Sequence, residues 1–402
     1  MSISKNVKRR MAEGSWIRRM FEEGNVLKKK HGEEKVFDLS IGNPVIDPPE
    51  EFRHELRKLI ENPRLGMHRY MENAGYAETR EAVAKQVSKE NGIEVTAHDI
   101  IMTVGAAGAI NVILKTILNP GNEVIVFAPY FMEYDNYVDN HGGTTKVVMT
   151  DENFLPDLNS LEKVINKKTT AIIINSPNNP TGVVYSESFI KRIGSILEDK
   201  EKQLKIPIYL ICDEAYSSLI YDGLKYVPTL QAYKRCLIAT SHSKDLALPG
   251  ERIGYIVVHP AIEDKHDLLS GLIFCNRILG FVNAPALMQN IVRHLQHITV
   301  SIADYQERRD FLYNNLINMG YKLVKPQGAF YMFPKSPVEN DVEFVEALQQ
   351  WNVLTVPGRG FGTPGYFRIS YCVTHKTLEG SLFGFKKAAE QFRLPKFWRF
   401  TQ

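Results

Sequence analysis

Cysteine is scarce in this chain. Four thiols occur in 402 residues, at Cys212, Cys236, Cys275 and Cys372, and no two share a CxxC spacing, so the usual cysteine motifs for redox or zinc chemistry are missing. Cys212 and Cys236 fall in or beside apolar, strand-like runs, where buried free thiols are common. A reduced, cytoplasmic compartment is the expectation. Long apolar runs are missing too: no stretch of about eighteen apolar residues exists, so nothing is expected to span a membrane. Nor does charge of one sign dominate. The 49 basic and 46 acidic residues leave a formal net charge of +3, too small an excess to argue for nucleic acid. The twin arginine Arg9-Arg10 is followed by Gly14, Arg18, Arg19, Glu22 and Glu23, which interrupt every apolar window and exclude a signal peptide. Internal repeats and low-complexity tracts are lacking. The basic, aromatic end Phe397-Trp398-Arg399-Phe400 is expected to be a packed tail.

What is there is an ordinary globular composition, 44% hydrophobic and 24% charged, in a chain long enough for two or three domains. Residues 15–30 put Ile17, Met20, Phe21 and Leu27 near one helical face, which predicts an amphipathic N-terminal helix. A short strand ending in a turn follows at 38–44. From about residue 76, strand and helix patterns alternate. Apolar runs recur at 100–104, 123–127, 146–149, 171–175, 208–213, 236–240 and 253–258, with helix-like segments such as 109–117 and 187–197 between them. The alternation predicts an α/β fold whose large domain carries a mostly parallel seven-stranded sheet buried on both faces. After about residue 290 the pattern changes. A long helical region (286–318) leads to strands around 321–324, 329–333, 353–355 and 366–371 and a closing helix near 378–392, a second, smaller α/β domain with antiparallel character. The expected division is a large domain over 45–290, with an N-terminal arm (1–44) and a small domain (291–402) outside it.

Chemistry-bearing motifs sit at or just beyond the C-terminal ends of the expected strands, where open α/β sheets bind ligands. The most informative is Ser241-His242-Ser243-Lys244-Asp245-Leu246-Ala247-Leu248-Pro249-Gly250-Glu251-Arg252. A lysine can condense with an aldehyde, while an arginine and two hydroxyls can hold a phosphate dianion. An aldehyde that carries a phosphate is pyridoxal 5'-phosphate. In Thr103-Val104-Gly105-Ala106-Ala107-Gly108, small residues lead from a strand into a helix, where a phosphate can approach the backbone N–H groups; a tight turn alone would also use such residues. Asn175-Ser176-Pro177-Asn178-Asn179-Pro180 stiffens the end of another strand. Asp213 closes the apolar run 208–212, and a carboxylate buried there needs a cationic partner such as a protonated pyridine nitrogen. An arginine fork at Arg368, in Gly365-Tyr366-Phe367-Arg368-Ile369-Ser370, suits a substrate carboxylate.

Taken together, from about residue 15 to 390, these motifs resemble the class I/II, fold-type I pyridoxal-phosphate-dependent aminotransferases. The resemblance implies a Schiff base and a proton shuttle at Lys244, Asp213 paired with the ring nitrogen, and Asn179 and Tyr216 on the phenolic oxygen. It also implies Phe131 stacked on the ring and a phosphate cup of Ala106, Ala107, Ser241, Ser243 and Arg252. Tyr70 would reach the phosphate of the neighbouring subunit in a homodimer, with a mere surface aromatic as the other reading. Arg368 and the backbone N–H of Gly42, with Asn179, would hold the substrate. The activity implied is ping-pong transfer of an amino group from an amino acid to a 2-oxo acid, with no metal, nucleic acid or membrane involved.

Some positions depart from the pattern. Bacterial aspartate-specific members of this broad subgroup carry a lysine where Ala107 stands, and Arg277 does not match the other known aspartate-type arginine, so aspartate specificity is not implied. Glu214 is left without a role, as is His242. The pair His294 and His297, three apart on an expected helix, is read as a solvated face rather than a metal site. The same motifs also support a β-lyase using the same cofactor. An effector-binding regulator is the remote alternative, and it would need a DNA-binding domain for which residues 1–40 are too short.

Overall fold

Two helices, Lys5–Glu13 and Trp16–His31, lead into a short strand β1 (Phe37–Asp38). The second covers the predicted N-terminal helix; Met20 on it is buried and Leu27 half-buried. The first was not anticipated. The structure is a computed structural model that describes residues 2–13 and 16–395. The tail at 397–400 and the side chains of Ile17 and Phe21 lie outside the described residues.

Each of the seven apolar runs becomes a strand of one sheet: β2 (Ile100–Thr103), β3 (Glu123–Ala128), β4 (Thr144–Met149), β5 (Thr169–Asn175), β6 (Tyr209–Asp213), β7 (Cys236–Ser241) and β8 (Gly254–Val258). The spatial order is β2-β8-β7-β6-β5-β3-β4. Neighbours from β4 across to β7 pair in parallel, whereas β8 runs antiparallel to both β2 and β7. Alternate residues feed two cores. Ile125 and Phe127 of β3 join one, Val124 and Val126 the other, on the opposite face of the sheet. Burial on both faces explains why these strands read as continuous apolar runs, and each fully buried Ile or Val contributes about 1.5–3 kcal/mol. Only β4, at the edge, leaves residues exposed.

The helices are set by local chemistry. Helix Glu187–Leu204 starts at Ser186, whose Oγ accepts the Phe189 N–H, and ends at Lys205 in a left-handed conformation, φ 56°. The Ser186 cap satisfies one of the orphan first-turn donors. The expected helical region 286–318 consists of two helices, Ala286–Val292 and Ile302–Asn318, the second capped by Ser301. Between them the chain turns to hold the loop after β7: Val300 N–H and Thr299 Oγ1 donate to the Asp245 carbonyl at 2.7 and 3.2 Å. The break thus fixes the residue next to Lys244.

The C-terminal part contains β9 (Tyr331–Met332), β10 (Val353–Leu354), β11 (Val356–Pro357) and β12 (Phe367–Ser370). Strands β11, β12 and β9 form an antiparallel sheet, and β1 pairs in parallel with β10. No strand forms at 321–324. The Tyr321 N–H instead returns to Leu316 O at the end of the preceding helix, so this stretch leaves the helix as a turn. The closing helix is His375–Gln391, capped by Thr374. Among the described residues no helix is long and apolar enough to cross a membrane.

Candidate active site

Parallel strands bring their C-terminal ends to one edge of the sheet. There β5 ends at Asn175, β6 at Asp213 and β7 at Ser241, and the helix after β2 begins at Gly105. Antiparallel β8 starts at the same edge, with Gly254 paired to both Thr103 and Ser241. A Cβ on Gly254 would crowd Gly105 Cα at 2.9 Å. Its bare α-carbon lets the helix start and the Lys244 loop meet.

These ends border a cavity of about 280 Å³. Gly42, Ala106, Ala107, Phe131, Asn179 and Asp213 line it, as do Tyr216, Ser241, Ser243, Lys244, Arg252 and Arg368. Every residue singled out for the site is therefore there except Tyr70, which is 87% exposed on the surface of this chain and does not line the cavity.

Lys244 Nζ donates to the Gly42 carbonyl at 2.8 Å. Burial pulls its pKa down to about 8, with Arg252 and Arg368 adding to the effect and Cys372 opposing it. A lysine so placed is neutral for part of the time near neutral pH, as a nucleophile or proton carrier must be. Gly42 has no room for a side chain, since a Cβ would run into the Tyr331 hydroxyl.

Asp213 is buried without a cationic partner among the described residues. Its Oδ2 accepts the Tyr134 hydroxyl at 2.5 Å and its Oδ1 accepts Ala215 N–H at 3.3 Å. Burial pushes its pKa up, and the two hydrogen bonds pull it back. A buried carboxylate held by neutral donors is a ready partner for a protonated ring nitrogen. Asn175 Nδ2 donates to the Asp213 carbonyl at 2.9 Å, and its Oδ1 accepts Asn179 N–H at 2.7 Å.

Ala106 and Ala107 lie in the first turn of helix Gly105–Ile117, whose start has no side-chain cap. Arg252 stands beside it, donating to Pro249 O at 2.8 Å and Val104 O at 3.4 Å, in a left-handed conformation with φ 52°. Free N–H groups at a helix start with an arginine next to them suit a phosphate.

Arg368, 1% exposed, donates to Asn179 Oδ1 at 3.0 Å and Ser40 O at 2.5 Å. Its guanidinium lies over the rings of Tyr331 and Phe361, 4.5 and 4.7 Å from their centroids, and its Nε has no partner. Burial lowers its pKa. The Tyr216 hydroxyl meets that of Tyr331 at 3.0 Å.

Reading the sequence missed Tyr134, Tyr137 and Tyr331, all lining the cavity. Tyr134 follows Phe131 by three, on the helix Glu133–Asn140, and that helical spacing was the available signal. Glu214 and His242 point elsewhere. Glu214 accepts from Thr229 and Tyr226 in a second cavity of about 240 Å³, and burial pushes its pKa up to about 8. His242 Nδ1 pairs with Asp245 at 2.9 Å. Arg277 is exposed over the Phe274 ring. His294 and His297 lie on turns after the helix rather than on it, both exposed. No group of three or more His, Cys, Asp or Glu among the described residues is arranged to hold a metal.

Comparison with known proteins gives this arrangement its relatives. The model of the family "Aminotransferase class I and II" matches residues 34–382. An aminotransferase structure from Eubacterium rectale superposes with a TM-score of 0.94 at 38% identity, covering 98% of this chain and 99% of that one. A probable aspartate/prephenate aminotransferase of Thermus aquaticus is 34% identical, covering 88% of this chain and 91% of the relative. Aromatic-amino-acid aminotransferase 2 of Thermococcus litoralis is 31% identical over 96% of this chain and 98% of its own length. A seven-stranded α/β frame shared with solved aminotransferases, and a family match over most of its length, make this chain a member of the class I and II aminotransferases.

Proposed function

We propose that this aminotransferase moves the amino group of an amino acid to a 2-oxo acid in two half-reactions, with pyridoxal 5'-phosphate held covalently by Lys244. The observation that carries the reading is the convergence on one cavity of a lysine with a lowered pKa, a buried carboxylate without a cation, and a helix start flanked by arginine. These residues fit the cofactor group by group. Asp213 would hold the ring nitrogen, Tyr216 and Asn179 the phenolic oxygen, and Phe131 one ring face. Ala106, Ala107, Ser241, Ser243 and Arg252 would hold the phosphate. When bound, the cofactor supplies an electron sink for charge developing at the substrate's Cα.

The chain's own residues do the rest. Arg368 orients the substrate's carboxylate by its planar fork, helped by Asn179 and the backbone of Gly42. Lys244, once freed from the cofactor by the incoming amine, would take the proton from the substrate's Cα as a general base and give it up as a general acid at the cofactor's C4' carbon. The Tyr134 hydrogen bond favours the charged form of Asp213, which would hold a proton on the ring nitrogen. Residues 45–290 form the cofactor-binding domain in this reading, with 1–44 and 291–402 closing over the substrate. A homodimer completes the site, Tyr70 of each copy reaching the other's phosphate. The four cysteines are free and buried, which agrees with a cytoplasmic protein.

The test is Lys244→Ala assayed with amino acid and 2-oxo acid together. Turnover should vanish while the fold and phosphate-dependent cofactor binding persist; substantial transamination by the variant would sink the proposal. Release of pyruvate and ammonia from a β-substituted amino acid with no 2-oxo acid present would point to a lyase instead.

A further inference from the structure

Resting on the transaminase reading, we infer that the donor amino acid has an uncharged, apolar or aromatic side chain, received by Ala107, Ile110 and Tyr137. The cavity's charged lining consists of Lys244, Arg252, Arg368 and Asp213. Each has a task in the proposed reaction, and each already faces a partner. Lys244 turns to Gly42 O, Arg252 to the carbonyls at the helix start, and Arg368 to Asn179 and Ser40. The rest of the lining is uncharged and includes Ile110, Tyr137 and Pro249, with Ala107, which would meet the phosphate through its backbone N–H alone. A second carboxylate brought against that lining would lose water and gain no cation from the described residues of this chain, which is costly.

The Tyr137 phenol is held protonated first by burial and then by Glu133 and Asp213, with Arg252 acting the other way. Nearby cations stand in a separate chamber beyond Tyr137, where the N-terminal helices face helix Glu133–Asn140. They are committed: Arg10 to Asp139 at 3.2 Å, Arg18 to Glu22 at 3.0 Å and Arg19 to Glu23 at 2.9 Å. Tyr137 and Ile110 line the cavity together, and their apolar carbon suits an apolar guest.

The experiment uses the holoenzyme and one amino acid at a time, following loss of the cofactor's visible band in a single half-reaction. Leucine, methionine and phenylalanine should each show a kcat/KM at least tenfold above aspartate and glutamate. Binding without turnover is read separately: 3-phenylpropanoate should bind more tightly than maleate by calorimetry. Ala107→Lys, which adds an ammonium to the subsite, should shift the aspartate-to-leucine ratio toward aspartate by tenfold or more. Aspartate or glutamate reacting as fast as the neutral amino acids, or maleate binding more tightly, would overturn the inference while leaving transamination standing. A band that no amino acid removes would instead overturn the transaminase reading on which it rests.

Discussion

The Tyr134 hydroxyl donates to Asp213 Oδ2 at 2.5 Å, with both side chains buried. Burial and the neighbouring carboxylate raise the phenol's pKa, so the proton stays on tyrosine and the pair remains a neutral donor on a carboxylate. Among the described residues Tyr134→Phe leaves the Asp213 carboxylate with only the Ala215 N–H, and burial then drives the carboxyl further toward its neutral form. A hydrogen bond to a charged group contributes about 1.5–3 kcal/mol. The expected result is cofactor that dissociates at least tenfold more readily, with kcat falling more than KM changes. Dialysis against buffer followed by absorbance of the retained cofactor checks the first, and steady-state kinetics the second.

The lowered pKa of Lys244, about 8, sets a pH dependence in the cofactor-free protein. Only the neutral amine adds to an aldehyde. Uptake of pyridoxal phosphate should therefore accelerate with pH up to about 8 and level off above it, where an ordinary lysine would keep accelerating past pH 10. Stopped-flow absorbance across pH 6–10 would show the plateau. The same shift is a stability statement. Native Lys244 releases its proton near 8 and the unfolded chain near 10.5, so the unfolded state binds more protons in that window and this group makes stability rise with pH across it. Lys244→Met should remove that rise from denaturant titrations.

Arg252→Ala should weaken cofactor retention more than Tyr70→Phe, because a charged hydrogen bond is stronger than a neutral one. If Tyr70 serves the neighbouring copy, mixing Tyr70→Phe with Lys244→Ala protein gives hybrid dimers whose two sites differ in cofactor content. Analytical ultracentrifugation with absorbance detection reads both properties. A fully active, strictly monomeric protein would refute the shared site.

Arg368→Lys keeps the charge and loses the fork. The flat guanidinium lies over the rings of Tyr331 and Phe361, and an ammonium would cover them less well. We expect kcat/KM to drop for every amino acid by about 2–4 kcal/mol of transition-state stabilisation. The bound cofactor's spectrum should stay the same. Turnover of amines without a carboxylate as fast as amino acids by the unchanged enzyme would remove the basis for this role.

How far the molecule can be read from its residues depends on burial. Six of the seven long strands were readable because both faces are buried and apolar, and β4, exposed at the edge, from its run Val147-Val148-Met149. Short strands β9 to β12 are held by a handful of partners far away in sequence, and 321–324 has apolar residues without a strand to pair with. Motif residues such as Asp213 and Lys244 stood out because charge at a strand end or beside a Pro-Gly turn is chemically conspicuous. Tyr134 and Tyr137 did not, since a tyrosine on a helix is ordinary until the sheet beneath it is known. Tyr130 and Phe131 show the difference within one dipeptide: Phe131 lines the cavity, whereas Tyr130 bonds Asp135 at 2.9 Å.

Of the seven strands in the large sheet, β8 alone runs against its neighbours. A parallel return would have needed a crossover of a dozen or more residues from the far edge. Reversal instead lets the chain leave β7 and re-enter β8 at one edge, so the connection is a loop with two planted feet. Lys244 and Arg252 stand on that loop like the jaws of a caliper. If they grip opposite ends of one small molecule, the gauge between them is its length. Drift of the whole sheet would carry both jaws together and leave the gauge untouched, but a single residue inserted between them would spoil the grip at both ends at once.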